Sequence, residues 1–391
     1  MSGTLQRRDA LAIALLAIGS AWGAGNVGPI VPDLVAQFEL SLTTVGLVSG
    51  TVFYLGVVIG LAFAPKLAER SGVVGSLRIS AALVGIGCLL MAVAPAFVVL
   101  GAGRLIAGLG LGAIAAVGPV YGRTVGGVLG AGLFGGSFQM GIAFGVGAGS
   151  VIADAGVSWR IGFLVAAVAG FSALAVMKRD DSVQMELKGG GFIHAASRSP
   201  AVYRLGLLFI AMFSAPLVLG AWLVHFLSAQ SGMSLTVAGV LGFVLFAASG
   251  VLRYAGAGLD KRGVPEWVLA GFMPLLATVG IAAIAFDQSV ITAFVAVVLI
   301  AAGFALPYTV MIIAAQRLWP EEPADPVALL TAFASGLPII IIPLFGAALS
   351  DGNGDVAFLI MAVIVAVAGL LNTKLPQKAI PGSSAAPAPG G

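Results

Sequence analysis

Residues 65–72, with the sequence PKLAERSG, form a short charged segment between two long apolar runs. A second version, GAGLDKRG, occupies residues 256–263, again after the second apolar run of its part of the chain. Both contain an acidic residue, a basic residue, one spacer and a glycine in that order. Three pairs of positions correspond: Glu69 with Asp260, Arg70 with Lys261, and Gly72 with Gly263. The repetition predicts an internal duplication in which each copy forms a charged loop.

The composition places most of the chain in lipid. Its 391 residues are 60% hydrophobic and only 9% charged, and the mean hydropathy is +1.10. A soluble domain carries roughly 25% charged residues, so the apolar surface of this chain needs a bilayer around it. The net charge of +3 raises the question of nucleic acid as a partner. Basic residues of membrane proteins usually mark the cytoplasmic side, and we predict no nucleic-acid partner.

A helix needs about 20 apolar residues to cross the hydrocarbon core, and twelve stretches meet this requirement. They predict an all-α membrane protein in which twelve transmembrane helices form two pseudo-symmetric six-helix bundles. The predicted spans are 10–32, 43–65, 74–95, 98–120, 131–153, 158–177, 203–228, 235–258, 266–286, 289–313, 327–349 and 355–373. Glycines inside the spans, as in residues 141–149, predict a seam where helices pack closely.

The longest connection divides the spans into six and six. We predict an N-terminal bundle over residues 1–177, a cytoplasmic linker over 178–202, a C-terminal bundle over 203–374 and a disordered tail over 375–391. The first apolar stretch is too long for a signal peptide and predicts an uncleaved helix.

The positive charges give the predicted orientation. With the N-terminus inside, every lysine and arginine except Arg104 and Arg160 falls at the cytoplasmic side. The expected location is the cell (inner or plasma) membrane, with multiple passes and both termini cytoplasmic. Arg253 is assigned to the cytoplasmic end of the eighth span. The one cysteine, Cys88, is expected to pack inside a span, and no cofactor or metal site is expected.

Three further motifs complete a family resemblance. The fourth span carries RLIAGLG at 104–110, the fifth has glycines at 132, 141 and 145, and the sixth opens with WRIGF at 159–163. With the twelve spans and the duplicated loop, the chain resembles the major facilitator superfamily. Pro65, Glu69 and Val146 depart from the family pattern, and Val146 weakens the resemblance to its antiporter element. The resemblance implies a secondary transporter that works by alternating access of two helical halves.

The resemblance also implies a role for the charged loops. Glu69 with Arg70, and Asp260 with Lys261, would latch the two halves together on the cytoplasmic side in the outward-facing state, with Gly72 and Gly263 forming the turns. The simpler alternative is that both loops only follow the positive-inside rule.

Arg104 is the leading candidate for substrate binding or coupling. It lies roughly 9 Å inside its span at 1.5 Å per residue, and a charge at that depth indicates function by default. The alternative is that its side chain extends to the outer headgroups. Pro29 and Pro32 are expected to bend the first span. The other candidates are polar or aromatic residues of the spans: Asn26, Asp33, Tyr54, Gln139, Trp222, His225 and Tyr308.

These observations favour efflux of a small amphipathic metabolite or drug, with protons as the candidate coupling ion. Uptake or exchange of a small organic anion bound by Arg104 is the alternative, and a membrane sensor that transports nothing is a third. A membrane enzyme would need clustered catalytic side chains, and the chain has two histidines and one cysteine. No P-loop sequence is found. The expected state is a monomer in the bilayer.

Overall fold

The computed structural model describes residues 6–177, 201–318 and 324–373, and these ranges contain helices and no strand. The predicted linker, except for its last two residues, and the predicted tail lie outside them. The helices are Arg7–Gly25, Val27–Phe38, Leu42–Gly46, Leu47–Val52, Phe53–Ala92, Phe97–Asp154, Arg160–Val176, Ala201–Phe209, Ile210–Ser214, Ala215–Ser231, Leu235–Lys261, Val268–Phe272, Met273–Phe286, Val290–Ala305, Tyr308–Leu318, Ala324–Gly336, Pro338–Ser350 and Gly354–Asn372. Leu47–Val52, Ile210–Ser214 and Val268–Phe272 are π-helical.

Helix covers most of every predicted span. By length and apolar composition, nine helices of the described ranges could cross a membrane, or ten when a bent pair counts as one. Leu42–Ala92 is one of the nine although it contains two predicted spans, which are separated at Gly72. The predicted sixth span corresponds to Arg160–Val176, which is shorter. The all-α membrane fold is confirmed, and the count of twelve remains a prediction.

The charged segments are not loops, and this part of the prediction was wrong. Residues 65–71 belong to a helix that breaks at Gly72, where φ is +73°. In the second copy the helix likewise runs to Lys261, and Gly263 has a φ of +81°. Each acid–base pair therefore lies at the end of a helix, and each glycine has a positive φ, which residues with a Cβ rarely adopt.

The first span is bent by 42° between Arg7–Gly25 and Val27–Phe38. Pro29 explains the position of the bend, because its ring nitrogen cannot donate to the carbonyl of Gly25 and its ring crowds that carbonyl. Asn26 lies at the break. The expected bend of this helix is therefore present.

Within residues 7–176, which we call the first half, glycines bring helix backbones into contact. A Cβ at Gly108 would lie 2.2 Å from the Phe53 carbonyl oxygen, and one at Gly145 would lie 2.3 Å from the Trp22 carbonyl oxygen. The second of these contacts joins the fifth and first spans through the predicted seam. The glycines are therefore required by close packing rather than by helix propensity.

The first half contacts the second half, residues 201–372, at several points near the predicted external face. A Cβ at Gly28 would lie 2.7 Å from the Gly220 carbonyl oxygen, and one at Gly46 would lie 2.8 Å from the Pro343 Cα. Thr236 donates a hydrogen bond of 2.5 Å to Asp154 between the fifth and eighth spans. These contacts close the two halves against each other at the predicted external face.

Candidate functional site

Arg104 is buried inside the first half, with 2% of its surface exposed. Its Nη1 donates to the Gly23 carbonyl oxygen at 2.9 Å, and its Nη2 donates to the Ser49 carbonyl oxygen at 2.8 Å. The side chain therefore joins the fourth span to the first and second spans. Both hydrogen bonds are to backbone carbonyls, so their immediate effect is to hold the bundle together.

Aromatic rings complete the surroundings of Arg104. Its guanidinium carbon lies 3.9 Å from the centroid of the Phe53 ring, and Tyr54 meets that ring edge to face at 5.1 Å. The Arg104 Nε is buried without a hydrogen-bond partner. A cavity of about 10 Å³ adjoins it, which is close to the space that one water molecule needs. The cavity is lined by Val27, Leu34, Val45, Val48, Ser49, Phe97, Leu100, Arg104 and Phe163, all of the first half.

Asn26 is also enclosed within the first half. Only 2% of its surface is exposed, and both polar atoms of its amide are buried without a hydrogen-bond partner. A Cβ at Gly162 would lie 3.2 Å from Asn26 Nδ2, and one at Gly149 would lie 3.6 Å from Asn26 Oδ1. The amide therefore faces the fifth and sixth spans, and its unpaired atoms are a cost that packing alone does not explain.

Aromatic side chains form a row that passes from the first half into the second. The rings of Trp22 and Phe144 stack at 5.7 Å, and Phe144 meets Phe243 of the eighth span at 5.9 Å. The Trp22 indole Nε1 is buried without a hydrogen-bond partner. Nearby along the same two helices, a Cβ at Gly250 would lie 3.3 Å from the Gln139 Cβ. Gln139 thus lies at the contact between the halves, together with this row.

Tyr308 contributes to a cluster that the sequence reasoning missed. The guanidinium carbon of Arg253 lies 4.2 Å from the Tyr308 ring centroid and 5.8 Å from that of Phe213. The two rings lie 5.6 Å apart, and Arg253 Nε is buried without a hydrogen-bond partner. The cluster joins the seventh, eighth and tenth spans.

The remaining candidates lie nearer the predicted external face. Trp222 is fully buried and donates its Nε1 hydrogen to the Ile342 carbonyl oxygen at 2.9 Å. His225 meets the Trp222 ring at 6.1 Å, and its Nδ1 is buried without a partner. Asp33 is partly exposed in the middle of Val27–Phe38. These residues therefore do not join Arg104 in a single site.

Glu69 and Arg70, at the predicted latch, are both exposed. The side chains of Asp260 and Lys261 lie outside the described part of the structure. Gly72 and Gly263 share positive φ angles, which supports the correspondence of the two copies. The latch itself remains a prediction.

The depth of Arg253 was the available signal for the missed cluster. Arg253 lies inside the predicted span 235–258 by nearly as many residues as Arg104 lies inside its own, although the positive-inside pattern places it at the cytoplasmic end. Trp22 and Phe53 gave no comparable signal, because aromatic residues in spans are common packing residues.

The apolar helices of the fold define a multi-pass membrane protein. The family model described as Major Facilitator Superfamily matches residues 13–341, and the chain belongs to this family. No curated protein sequence matches the chain.

Solved transporter structures share the fold. A D-xylose–proton symporter matches with a TM-score of 0.76 at 15% identity, covering 94% of this chain and 97% of the other. The inward-open xylose transporter XylE from E. coli matches with a TM-score of 0.76 at 14% identity, covering 95% and 97%. A bacterial homologue of the human lysosomal transporter Spinster, inward-facing and unoccupied, matches with a TM-score of 0.68 at 17% identity, covering 93% and 95%. At these identities the likeness is one of fold.

Proposed function

We propose that the protein is a secondary transporter that moves a small amphipathic solute between its two halves by alternating access. The observation that carries the proposal is the aromatic row Trp22, Phe144 and Phe243, which crosses from one half to the other. A solute bound beside this row contacts both halves, and rocking of the halves changes the face from which the row is reached. The glycine contacts at the predicted external face support a state that opens toward the cytoplasm.

Efflux coupled to protons is the direction and coupling that we propose to test first. The glycine-rich fifth span supports it through its resemblance to the antiporter element of the family, and Gly145 and Gly147 place that span against the first and eighth spans. Asp33, Asp154 and His225 are the candidate proton carriers. Asp154 is the one that bonds across the halves, and its protonation would weaken that contact.

Transport of a small organic anion is the second candidate. Both terminal nitrogens of Arg104 already donate to carbonyl oxygens, so an anion at Arg104 would have to displace one of these bonds. The specific observation that favours an anion is the Arg253 cluster. A non-transporting sensor is the outcome left if binding occurs without flux.

The test is a flux screen in proteoliposomes, run with and without a pH gradient. Trp22→Ala should lower flux of the transported solute about tenfold, the upper value of one aromatic contact. Trp267→Ala is the matched control, because Trp267 is 37% exposed and packs on Phe272 away from the row. No flux of any solute, or equal flux in the two variants, would contradict the proposal. Flux that changes with the pH gradient would support coupling to protons, and flux that does not change would contradict it.

A further inference from the structure

Arg253 places a positive charge inside the predicted eighth span, 235–258. It precedes the predicted end of that span by roughly 7 Å at 1.5 Å per residue, and its side chain is partly buried. A charge at membrane depth is costly and usually faces a partner or a water-filled path. Among the described residues, the partners recorded for Arg253 are two aromatic rings and no carboxylate.

The aromatic rings hold the guanidinium group but do not neutralise it. Tyr308 lies closer, at 4.2 Å from the guanidinium carbon, and Phe213 lies at 5.8 Å. Attraction to a ring offsets only part of the cost of removing a charge from water. The Arg253 Nε hydrogen is also buried without an acceptor. The cluster therefore offers an oriented, planar donor that has no carboxylate partner among the described residues, and a planar fork of this kind is the geometry that binds a carboxylate.

The cluster adjoins the contact between the halves. Arg253 follows Gly250 by three residues, so the two lie on neighbouring positions of one helix face. Gly250 is the point at which Gln139 of the first half approaches the eighth span. A ligand bound at Arg253 and extending by one helical turn therefore reaches both halves, as a transported substrate must.

We propose that Arg253 binds the carboxylate of a small organic monoanion whose apolar body packs against Phe213 and Tyr308. This inference rests on the proposed transport function and names its substrate class. A single negative charge matches the one positive charge of the cluster, whereas a dianion would leave an uncompensated charge inside the membrane. The ligand reaches the cluster from the predicted cytoplasmic side, since the halves are closed at the other face.

The experiment measures binding to the full chain in lipid nanodiscs by the shift of its melting temperature. The probes are benzoate, phenylacetate and indole-3-acetate, each paired with its neutral amide. Carboxylates should raise the melting temperature of the wild-type protein more than the amides do. Arg253→Gln should weaken carboxylate binding at least tenfold, and Arg253→Lys, which keeps the charge and loses the planar fork, should be intermediate. Arg123→Gln is the matched control, because Arg123 is exposed.

Three results would overturn the inference: no probe stabilises the wild-type protein, amides stabilise it as much as carboxylates, or the Arg253 variants bind carboxylates as the wild-type protein does. If Arg253→Gln does not fold, the comparison of Arg253→Lys with Arg123→Lys decides. Flux of a neutral solute in the proteoliposome screen, with no carboxylate binding, removes the inference and leaves the transport function. Carboxylate binding with no flux of any solute removes the transport function and leaves the binding site.

Discussion

A methyl group added at Gly28 should open the predicted external face. The Cβ of Gly28→Ala would lie 2.7 Å from the Gly220 carbonyl oxygen and 3.1 Å from that of Ala221. Both contacts are with backbone atoms of the seventh span, which cannot rotate away as a side chain could. To restore a contact distance of about 3.5 Å, the first and seventh spans must separate by several tenths of an ångström. The substitution therefore strains the closed arrangement.

The free-energy cost of the added methyl group follows from overpacking. An extra methyl group in a tight contact costs about 1–3 kcal/mol. Because Gly28 meets Gly220 across the two halves, the cost applies to the state that is closed at this face and is relieved when the face opens. The ratio of closed to open molecules should therefore fall about 5- to 150-fold.

The change can be measured as a distance between spin labels on the two halves. Val157 and Asp351 are exposed at the predicted external face, one in each half, and suit labelling in a Cys88→Ser background because Cys88 is the one cysteine. The parent protein should show a short distance. Gly28→Ala should add a longer component or shift the whole distribution to it.

Gly19→Ala is the matched control in the same span. Its Cβ would lie 2.7 Å from the Ala169 carbonyl carbon, so the clash is as severe but falls within the first half. Gly19→Ala should lower the melting temperature without lengthening the label distance. An unchanged distance in folded Gly28→Ala, or the same lengthening in Gly19→Ala, would refute the assignment of the closed face.

Three further substitutions test the polar contacts. The lysine of Arg104→Lys cannot reach both carbonyls, so the variant should lose about 1.5–3 kcal/mol of stability. Its melting temperature should fall, whereas the melting temperature of the control Arg123→Lys should not change. Asn26→Leu removes an amide with no partner and should leave the melting temperature equal or higher; a lower value would show that the amide is bonded. Hydrogen bonds from Thr292 and Ser289 hold the pKa of Asp287 below its usual 3.8, so their stabilisation is present above that pH and is lost as the pH falls through the lowered value. Thr292→Val should therefore be less stable than the wild-type protein at neutral pH and converge with it in acid.

The sequence predicts the helices better than their ends. Apolar runs locate the spans because a bilayer sets their length, and Pro29 predicts the bend because it removes a donor from the helix. The polarity of the charged segments predicts loops. Both instead extend helices to Gly72 or close to Gly263, since a helix that leaves the hydrocarbon core remains bonded within itself.

The candidate site was only partly predictable, because its residues come from distant spans. Depth within a span identified Arg104, and the same reasoning applied to Arg253 would have predicted that residue. The partners of Arg104 could not be predicted from the sequence. Gly23 and Ser49 accept its hydrogen bonds through their backbone carbonyls, and every residue has such a carbonyl. Glycine shows the same limit, since nothing in the sequence tells that Gly19 packs within a half.

The distribution of contacts supports motion of the first half as a unit. Four arginines connect elements within it through bonds to carbonyl or amide oxygens: Arg8, Arg78, Arg104 and Arg160. Contacts between the halves include close approaches at glycines and the Phe144–Phe243 ring contact. The hydrogen bonds seen across them among the described residues join neutral donors to oxygens, such as that from Thr51 to the Ile339 carbonyl oxygen. Bonds to a charged group are stronger than neutral ones, whereas an apolar contact can separate without leaving a buried charge unpaired. A rocking transporter needs this division, because each half must keep its shape while the surface between them opens and closes.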